Sequence, residues 1–301
     1  MKRQSANIIN KKIKNISAAE LPLNNDGSVY HLHLLPGQVA DTVLLVGDPD
    51  RVALISSYFD NVEFEISNRE FVSCTGTYNE KRISVLSTGI GTDNIDIAIN
   101  ELDAVVNYNL EKRCLKESLR TLNLIRIGTS GSIHRDVPID SCVISKFGMG
   151  LDNLAGFYDI AFSEREKEMQ RHFIKTLNWE QRALKPYFVE ASEKLFDVLH
   201  HGMHEGITVT APGFYGPQGR SLRLPLSDNK LISDLSSFTF EKYNITNFEM
   251  ETSALYALGR SLGHHCCSCC AIVANRSNGT FSKNHKEAVS KLVEKILACI
   301  S

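Results

Sequence analysis

The sequence has no apolar run long enough to cross a bilayer and no marked excess of charge of either sign. Its 33 Lys and Arg residues nearly balance its 35 Asp and Glu residues, which leaves a formal net charge of -2. Binding to nucleic acid or to a membrane surface favours a basic protein, so neither is expected as a partner. With 43% hydrophobic and 23% charged residues, the composition is that of an ordinary globular protein.

The sequence also lacks the G-x-G-x-x-G motif that opens a helix in Rossmann dinucleotide-binding folds. Neither an internal repeat nor a low-complexity linker divides the chain. We therefore predict one domain over residues 21–301, preceded by a flexible tail over residues 1–20. The first fifteen residues are basic and polar without an apolar signal core, so we expect a cytoplasmic protein, with import into an organelle as the alternative.

Cysteine is not scarce, but its arrangement does not favour a metal site. Four of the eight cysteines crowd into one segment, at Cys266, Cys267, Cys269 and Cys270. A zinc site needs a second, separate pair of ligands, whereas this cluster continues into the apolar run 271–274. We predict a buried strand in which reduced thiols act as small apolar side chains, and no metal.

Residues 47–51, Gly-Asp-Pro-Asp-Arg, follow an apolar run, Thr42–Val46, and precede a helix-like run. A glycine turn between a strand and a helix directs free backbone N–H groups and the positive end of the helix dipole at one spot, which favours an anion. Arg51 adds a planar set of donors suited to phosphate. The alternative is an ordinary strand–turn–helix corner with a surface arginine.

Arg126 is a charged residue inside an otherwise apolar run, residues 122–127, which ends in Gly-Thr-Ser-Gly. A charge in such a strand is costly unless it meets a partner or a ligand. In open α/β sheets, ligands bind beyond the carboxyl ends of the strands. Because each of these two strand ends carries an arginine, we predict that one anion binds between Arg51 and Arg126.

Strand-like and helix-like segments alternate along the chain. Ile95, Ile99 and Leu102 repeat at helical spacing. Further helices are predicted over residues 51–58, 191–199, 249–262 and 286–299. Strands are predicted within residues 42–46, 62–86, 122–127, 141–144, 206–210 and 266–274. This order predicts an α/β protein, a single domain with a central mixed β-sheet flanked by helices.

The glycine- and proline-rich segment 210–220 predicts a loop. Phe214 and Tyr215 can form an aromatic wall, while Gln218 and Arg220 offer amide and guanidinium groups. These two groups complement the carbonyl and N–H edge of a pyrimidine such as uracil. The alternative is a surface loop with scattered polar residues.

Residues 248–251, Phe-Glu-Met-Glu, are predicted to open the late helix. A carboxylate at a helix start, here Glu249, is common for capping and dipole reasons. Glu251 could accept hydrogen bonds from both hydroxyls of a ribose, and Met250 could give the sugar an adaptable apolar floor.

These segments, in this order along the chain, resemble the nucleoside phosphorylase family, and most closely its uridine phosphorylases. The matching motifs are residues 47–51, 68–71, 87–91, 126–131, 214–220 and 248–251. They are specific together, whereas each alone would be a weak signal. The resemblance implies that phosphate cleaves the glycosidic bond of a nucleoside and gives ribose 1-phosphate and a free base.

The resemblance also implies roles for particular residues. The implied phosphate ligands are Gly47, Arg51, Arg69, Arg126 and Thr129. The implied ribose ligands are His31, Glu249, Met250 and Glu251. The implied base ligands are Phe214, Gln218, Arg220 and Arg276. The implied catalytic residues are Arg126, Arg220 and Glu251. Arg69 and His31 would serve a neighbouring subunit, which implies at least a dimer; a surface ion pair and a loop histidine are the alternatives for these two.

By the same resemblance, phosphate is a co-substrate and no organic cofactor or covalent enzyme intermediate is needed. Some bacterial members hold an interface potassium beside residues that match Glu70, Ile90 and Asn94. The altered residue at position 94 departs from that pattern, so no metal is predicted. Residues 150–205 match the family weakly, and no role is assigned to them.

Base preference follows from the residues after the late strand. Purine-type relatives carry an aspartate there, whereas residues 273–276 read Val-Ala-Asn-Arg. We therefore expect uridine phosphorolysis in pyrimidine salvage, with deoxyuridine or thymidine as further substrates. The alternatives are a catalytically silent nucleoside-binding paralogue, a hydrolytic nucleosidase, and a phosphorylase with another base preference.

Overall fold

The computed structural model describes residues 15–301. Of the predicted flexible tail, residues 1–14 lie outside the described part of the chain. Residues 15–20 include a turn, and the Ile16 N–H donates to the Arg113 carbonyl at 3.0 Å. Within residues 15–301, every helix is too short or too polar to cross a membrane.

Strands and helices alternate through most of the described chain. The strands are β1 (Thr42–Val46), β2 (Asn61–Asn68), β3 (Phe71–Tyr78), β4 (Lys81–Ser87), β5 (Tyr108–Asn109), β6 (Cys114–Leu115), β7 (Asn123–Ser132), β8 (Cys142–Gly150), β9 (Tyr187–Glu190), β10 (His204–Thr210), β11 (Thr239–Phe240), β12 (Tyr243–Glu249), β13 (His265–Asn275) and β14 (Thr280–Phe281). The α-helices are α1 (Pro49–Ser56), α2 (Thr92–Asn107), α3 (Glu164–Thr176), α4 (Glu193–Leu199), α5 (Leu231–Ser237), α6 (Thr252–Ser261) and α7 (His285–Ile300).

One twelve-stranded mixed sheet organises the molecule. Strand β1 pairs in parallel with β4 and β7, and β7 pairs in parallel with β13. Strands β8, β10 and β12 run parallel to one another, while β8 is antiparallel to β13 and β12 is antiparallel to β7. The last pairing closes β7, β13, β8, β10 and β12 into a ring. The prediction of an α/β domain with a central mixed sheet is confirmed.

Two hydrophobic clusters hold this sheet to its helices. The larger one packs α2, α6 and α7 on the sheet, and α2 buries the predicted positions Ile95, Ile99 and Leu102. The second cluster lies beside β8, β10 and β12, where Phe173 meets Trp179 with ring centroids 4.8 Å apart. Apolar side chains at helical spacing are buried on the sheet because this removes their surface from water.

The late helix begins three residues after its predicted start, so the prediction for residues 249–251 was wrong. Glu249 ends strand β12, and the helix begins at Thr252. Residues 248 and 249 form a strand instead of the predicted helix because the register pairs Phe248 with Gly131 of β7 and Glu249 with Thr210 of β10. A periodicity argument could not anticipate these partners, which lie far away in sequence.

Strand β7 is longer than the predicted apolar run and includes the Gly-Thr-Ser-Gly segment. Gly128 and Thr129 continue the ladder opposite Cys270 and Ala271 of β13. The cysteine-rich segment is a strand, as predicted, and all four of its cysteine side chains are buried. Apolar burial therefore accounts for these residues.

We expect few of the eight thiols to react in the native protein. All eight are free, and only three are partly exposed, namely Cys114, Cys142 and Cys299. Burial raises the pKa of Cys270 to about 11, which further suppresses its thiolate. Titration with a disulfide reagent at pH 8 should count at most three rapid thiols, and eight after denaturation. Rapid reaction of more than three would contradict the buried placement of β13.

Candidate active site

A cavity of about 490 Å³ opens where the carboxyl ends of β1, β7 and β12 come together. Ten of the residues predicted for the site line this one cavity. They are Gly47, Arg51, Arg126, Thr129, Phe214, Gln218, Arg220, Glu249, Met250 and Glu251. The remaining three, His31, Arg69 and Arg276, do not line it. Residues that are far apart in sequence thus line the same cavity.

One end of the cavity is built from the corner between β1 and α1. Asp48 caps the helix by accepting from the Asp50 N–H, and Pro49 occupies the first turn. Arg51 donates from Nη1 to the Ile127 carbonyl at 3.1 Å, which fixes its side chain against the middle of β7. Burial, followed by the nearby Arg126 cation, lowers the pKa of Arg51. Two such cations beside a helix N-terminus favour an anionic ligand.

Arg126 lies buried at the centre of the site, with only 5% of its surface exposed. Its Nη2 atom pairs with Oε2 of Glu251, and its Nη1 atom lies 3.5 Å from Oε2 of Glu249. Burial opposes the charge, but the two carboxylates outweigh it and raise the pKa of Arg126 above its usual range. The cost that the sequence predicted for a charge in an apolar strand is thus offset by these partners.

The two glutamates are held by backbone donors as well as by Arg126. Oε1 of Glu251 accepts from the Gly91 N–H at 2.8 Å. Both carboxylate oxygens of Glu249 accept from the Thr252 N–H, at 3.0 and 2.9 Å, so Glu249 also caps α6. Burial raises the pKa of Glu251; Arg126 opposes that shift and Glu249 adds to it. Glu249 thus both lines the cavity and satisfies a backbone donor at the start of α6.

The opposite end of the cavity is the loop after β10. The Arg220 guanidinium stacks on the Phe214 ring at 3.9 Å and donates to Oε1 of Gln218 at 2.6 Å. Arg276 donates to the Gln218 carbonyl and to the Gly219 carbonyl at 3.0 Å. Arg276 therefore supports the backbone of this loop from outside the cavity. Burial lowers the pKa of Arg220, and Arg276 adds to the shift.

His31 and Arg69 lie together on another part of the chain. Nδ1 of His31 is 2.6 Å from Oε1 of Glu101, whose carboxylate also accepts from the His31 N–H. The Arg69 guanidinium lies 5.8 Å from the centroid of the Tyr30 ring. Neither side chain lines the cavity of its own chain.

The residues matched to an interface potassium lie around one loop. A side chain at Gly89 would meet both Asn94 and Glu70, and Ile90 lines the cavity with 66% of its surface exposed. No group of three or more His, Cys, Asp or Glu side chains in residues 15–301 is placed to hold a metal ion. The expectation that no potassium binds here stays a prediction.

Sequence reasoning missed several residues that line the cavity. They include Asp48, Ser130, Gly131, Val273, Ala274 and Phe281. Asp48 lies within the motif 47–51, and Ser130 and Gly131 lie within the motif 126–131, so their position next to a predicted ligand was a usable signal. Phe281 lies on the short strand β14, and its neighbours in sequence carried no such signal.

Comparison with known proteins gives a consistent family. A family model described as "Phosphorylase superfamily" matches residues 41–301. A uridine phosphorylase of Thermococcus kodakarensis is 32% identical over 95% of this chain and 92% of its own length. A DeoD-type purine nucleoside phosphorylase of Bacillus subtilis is 31% identical over 77% of this chain and 81% of its own.

Solved structures support the same fold. A Trypanosoma brucei nucleoside phosphorylase, whose title states that it shows uridine phosphorylase activity, superposes with a TM-score of 0.85 at 28% identity. That match covers 93% of this chain and 98% of the other. A uridine phosphorylase of Phytophthora capsici has a TM-score of 0.67 at 24% identity, with 95% and 98% of the two chains covered, and supports the fold alone.

We expect Gly128→Ala to weaken phosphate binding, because a Cβ at this position would overlap the Arg126 guanidinium. The long arginine side chain can move aside, so the fold should persist while the cation leaves its place. Loss of one charged hydrogen bond predicts about a tenfold weaker affinity for inorganic phosphate, measured by calorimetry. Gly156→Ala is the control, since nothing lies within 4 Å of its added methyl. Unchanged affinity in Gly128→Ala would contradict this placement of Arg126.

Proposed function

This chain belongs to the phosphorylase superfamily, and we propose that it is a uridine phosphorylase that converts uridine and phosphate to uracil and ribose 1-phosphate. The observation that carries the proposal is that one cavity has a pair of arginines at one end and the Gln218–Arg220 loop at the other. An anion fits the end with the two arginines, and the base of a pyrimidine nucleoside fits the end formed by the Gln218–Arg220 loop. The relatives that are named as uridine phosphorylases support the same activity.

Phosphate would bind between Arg51, Arg126, Thr129 and the backbone at Gly47. Glycosidic cleavage proceeds through an oxocarbenium-like sugar, and a bound phosphate can both balance that positive charge and attack the anomeric carbon. The buried guanidinium of Arg126 holds the anion in place with little reorganisation, since its partners already fix it. Most of the rate would come from holding the two reactants in line.

The leaving uracil carries negative charge as the bond breaks. Arg220 is positioned by its stacking on Phe214 and by its bond to Gln218, so it can stabilise this charge as it develops. The cavity wall near the base contains Val273 and Ala274 and no carboxylate from residues 273–276. An acid that could protonate a purine N7 is therefore missing from this segment, which supports a pyrimidine preference.

The sugar would lie over Met250 between the two ends, with Glu251 and Glu249 at its hydroxyls. Both glutamates already accept hydrogen bonds from the backbone and are paired with Arg126, so a ribose hydroxyl would join a fixed carboxylate instead of ordering a mobile one. A carboxylate that accepts from both ribose hydroxyls can still bind a 2′-deoxy sugar through its remaining hydroxyl, so deoxyuridine and thymidine are included in the proposal.

The proposal includes a homodimer in which His31 and Arg69 of one copy complete the cavity of the other. Neither residue lines the cavity of its own chain, which supports this arrangement. Phosphate is the co-substrate, and no cofactor is required.

The eight free thiols suit a reducing compartment, which supports a cytoplasmic role in pyrimidine salvage. Detection of the protein in cell fractions tests this location.

The first experiment measures free base released from uridine, deoxyuridine, inosine and methylthioadenosine, each with and without phosphate. We expect uracil release only with phosphate, because phosphate is the nucleophile that the two arginines hold. Release without phosphate would indicate a hydrolase. Preferential release of hypoxanthine would indicate the purine specificity of the DeoD-type relatives. A folded protein that turns over no nucleoside would indicate a binding paralogue.

A complementation experiment tests the shared site. Arg69→Ala should disable the partner's site, whereas Arg126→Ala should disable its own. A mixed dimer of the two variants then keeps one intact site, so refolding equal amounts together should restore about a quarter of wild-type activity. Each variant refolded alone is the control. An inactive mixture that contains mixed dimers would show that both residues serve the same chain.

A further inference from the structure

Thr210, the last residue of strand β10, lies directly behind the site and has no surface exposed. Its Oγ1 atom is 2.7 Å from Oε1 of Glu249 and 2.9 Å from the backbone nitrogen of Ser253. Thr210 does not line the cavity. Its hydroxyl instead joins a cavity glutamate to the first turn of α6.

The direction of both hydrogen bonds is fixed by chemistry. The Ser253 N–H can only donate, so the Thr210 oxygen accepts from it. The hydroxyl hydrogen of Thr210 is then free for Glu249, whose carboxylate accepts. A hydroxyl that donates to a buried carboxylate forms a charge-assisted bond, which is stronger than a neutral one.

Behind Thr210 the contacts continue into a segment that the sequence left without a role. The Ser253 hydroxyl donates to Oδ2 of Asp152 at 2.8 Å. The Tyr187 hydroxyl lies 3.0 Å from each carboxylate oxygen of Asp152. Asp152 follows β8 and Tyr187 begins β9, so residues from the poorly matching stretch 150–205 brace the turn that carries Ser253.

We propose that Thr210 is a positioning residue that holds Glu249, and through it Arg126, in the geometry that binds phosphate, with Ser253, Asp152 and Tyr187 as its support. Glu249 faces Arg126 at 3.5 Å and accepts from the Glu251 N–H at 2.9 Å. A displaced Glu249 would therefore disturb both the cation and the neighbouring glutamate. This inference rests on the proposed phosphorolysis.

The test compares Thr210→Val with Thr210→Ser. Valine keeps the shape and removes the hydroxyl, whereas serine keeps the hydroxyl. We expect Thr210→Val to raise the KM for phosphate about tenfold or more, the worth of one hydrogen bond to a charged group. Thr210→Ser should remain within about threefold of wild type, since the donor is retained.

Thr75→Val provides the matched control. Thr75 is likewise a buried strand threonine, and its hydroxyl donates to the Gln38 carbonyl at 2.7 Å, on strand β3 away from the cavity. Its loss should lower the melting temperature and leave the KM for phosphate unchanged. Ser253→Ala keeps the N–H that Thr210 needs but breaks the bond to Asp152, so it should raise that KM by less than Thr210→Val does.

Three outcomes would overturn the inference. They are an unchanged KM for phosphate in Thr210→Val, an equal rise in Thr210→Ser, and an equal rise in Thr75→Val. If the wild-type protein releases no base with phosphate, the proposed function fails by itself. Calorimetric titration with inorganic phosphate then still tests the positioning role, because it needs no turnover: Thr210→Val should bind phosphate more weakly than Thr210→Ser.

Discussion

The buried charge of Arg126 is the constraint on which the site depends. An arginine in the interior of a sheet is tolerated only where carboxylates lie within reach and remaining donors find acceptors. Glu249 and Glu251 supply the carboxylates; Glu249 ends β12, and Glu251 lies between β12 and α6. The fold must therefore bring the carboxyl end of β12 to the carboxyl end of β7, and the cavity forms where they meet.

Closure of the ring of strands achieves this meeting. Because β12 is antiparallel to β7, the two strands cross near their carboxyl ends, where Phe248 pairs with Gly131. Glycines allow the close approaches that closure demands. A side chain at Gly148 would meet the backbone of Ser253, and one at Gly150 would meet the Tyr187 ring. Because Gly148 and Gly150 have no side chains, α6 and β9 can pack closely behind the site.

The ends of the cavity differ in what holds them. At the end proposed to bind phosphate, Arg51 and Arg126 are fixed by buried partners, and their pKa values shift in opposite directions because only Arg126 has two carboxylates beside it. At the base end, Arg220 is only partly buried, and it is ordered by an aromatic ring and an amide that belong to the same loop. The end proposed to bind phosphate is therefore held by buried ion pairs, whereas the end proposed to bind the base is held by contacts within its own loop.

Several parts of the candidate site could be predicted because neighbouring residues in the sequence indicate a ligand. The turn at residues 47–51, the charge at Arg126 in an apolar strand and the paired Gln218 and Arg220 each suggested a ligand from neighbouring residues alone. The prediction for the start of the late helix was wrong because strand β12 is specified by its partners β7 and β10, and such pairing leaves little trace in local periodicity.

The sequence by itself determined the fold class and indicated a candidate anion site at residues 47–51 and Arg126, because these follow from the alternation of segments and from the cost of burying charge. Only the tertiary structure decided which carboxylates pair with Arg126, which carbonyls of the loop after β10 accept from Arg276, and that Thr210 stands behind Glu249. Those contacts join residues that are up to 125 positions apart. Such distances are set by how the sheet closes, which no local pattern encodes.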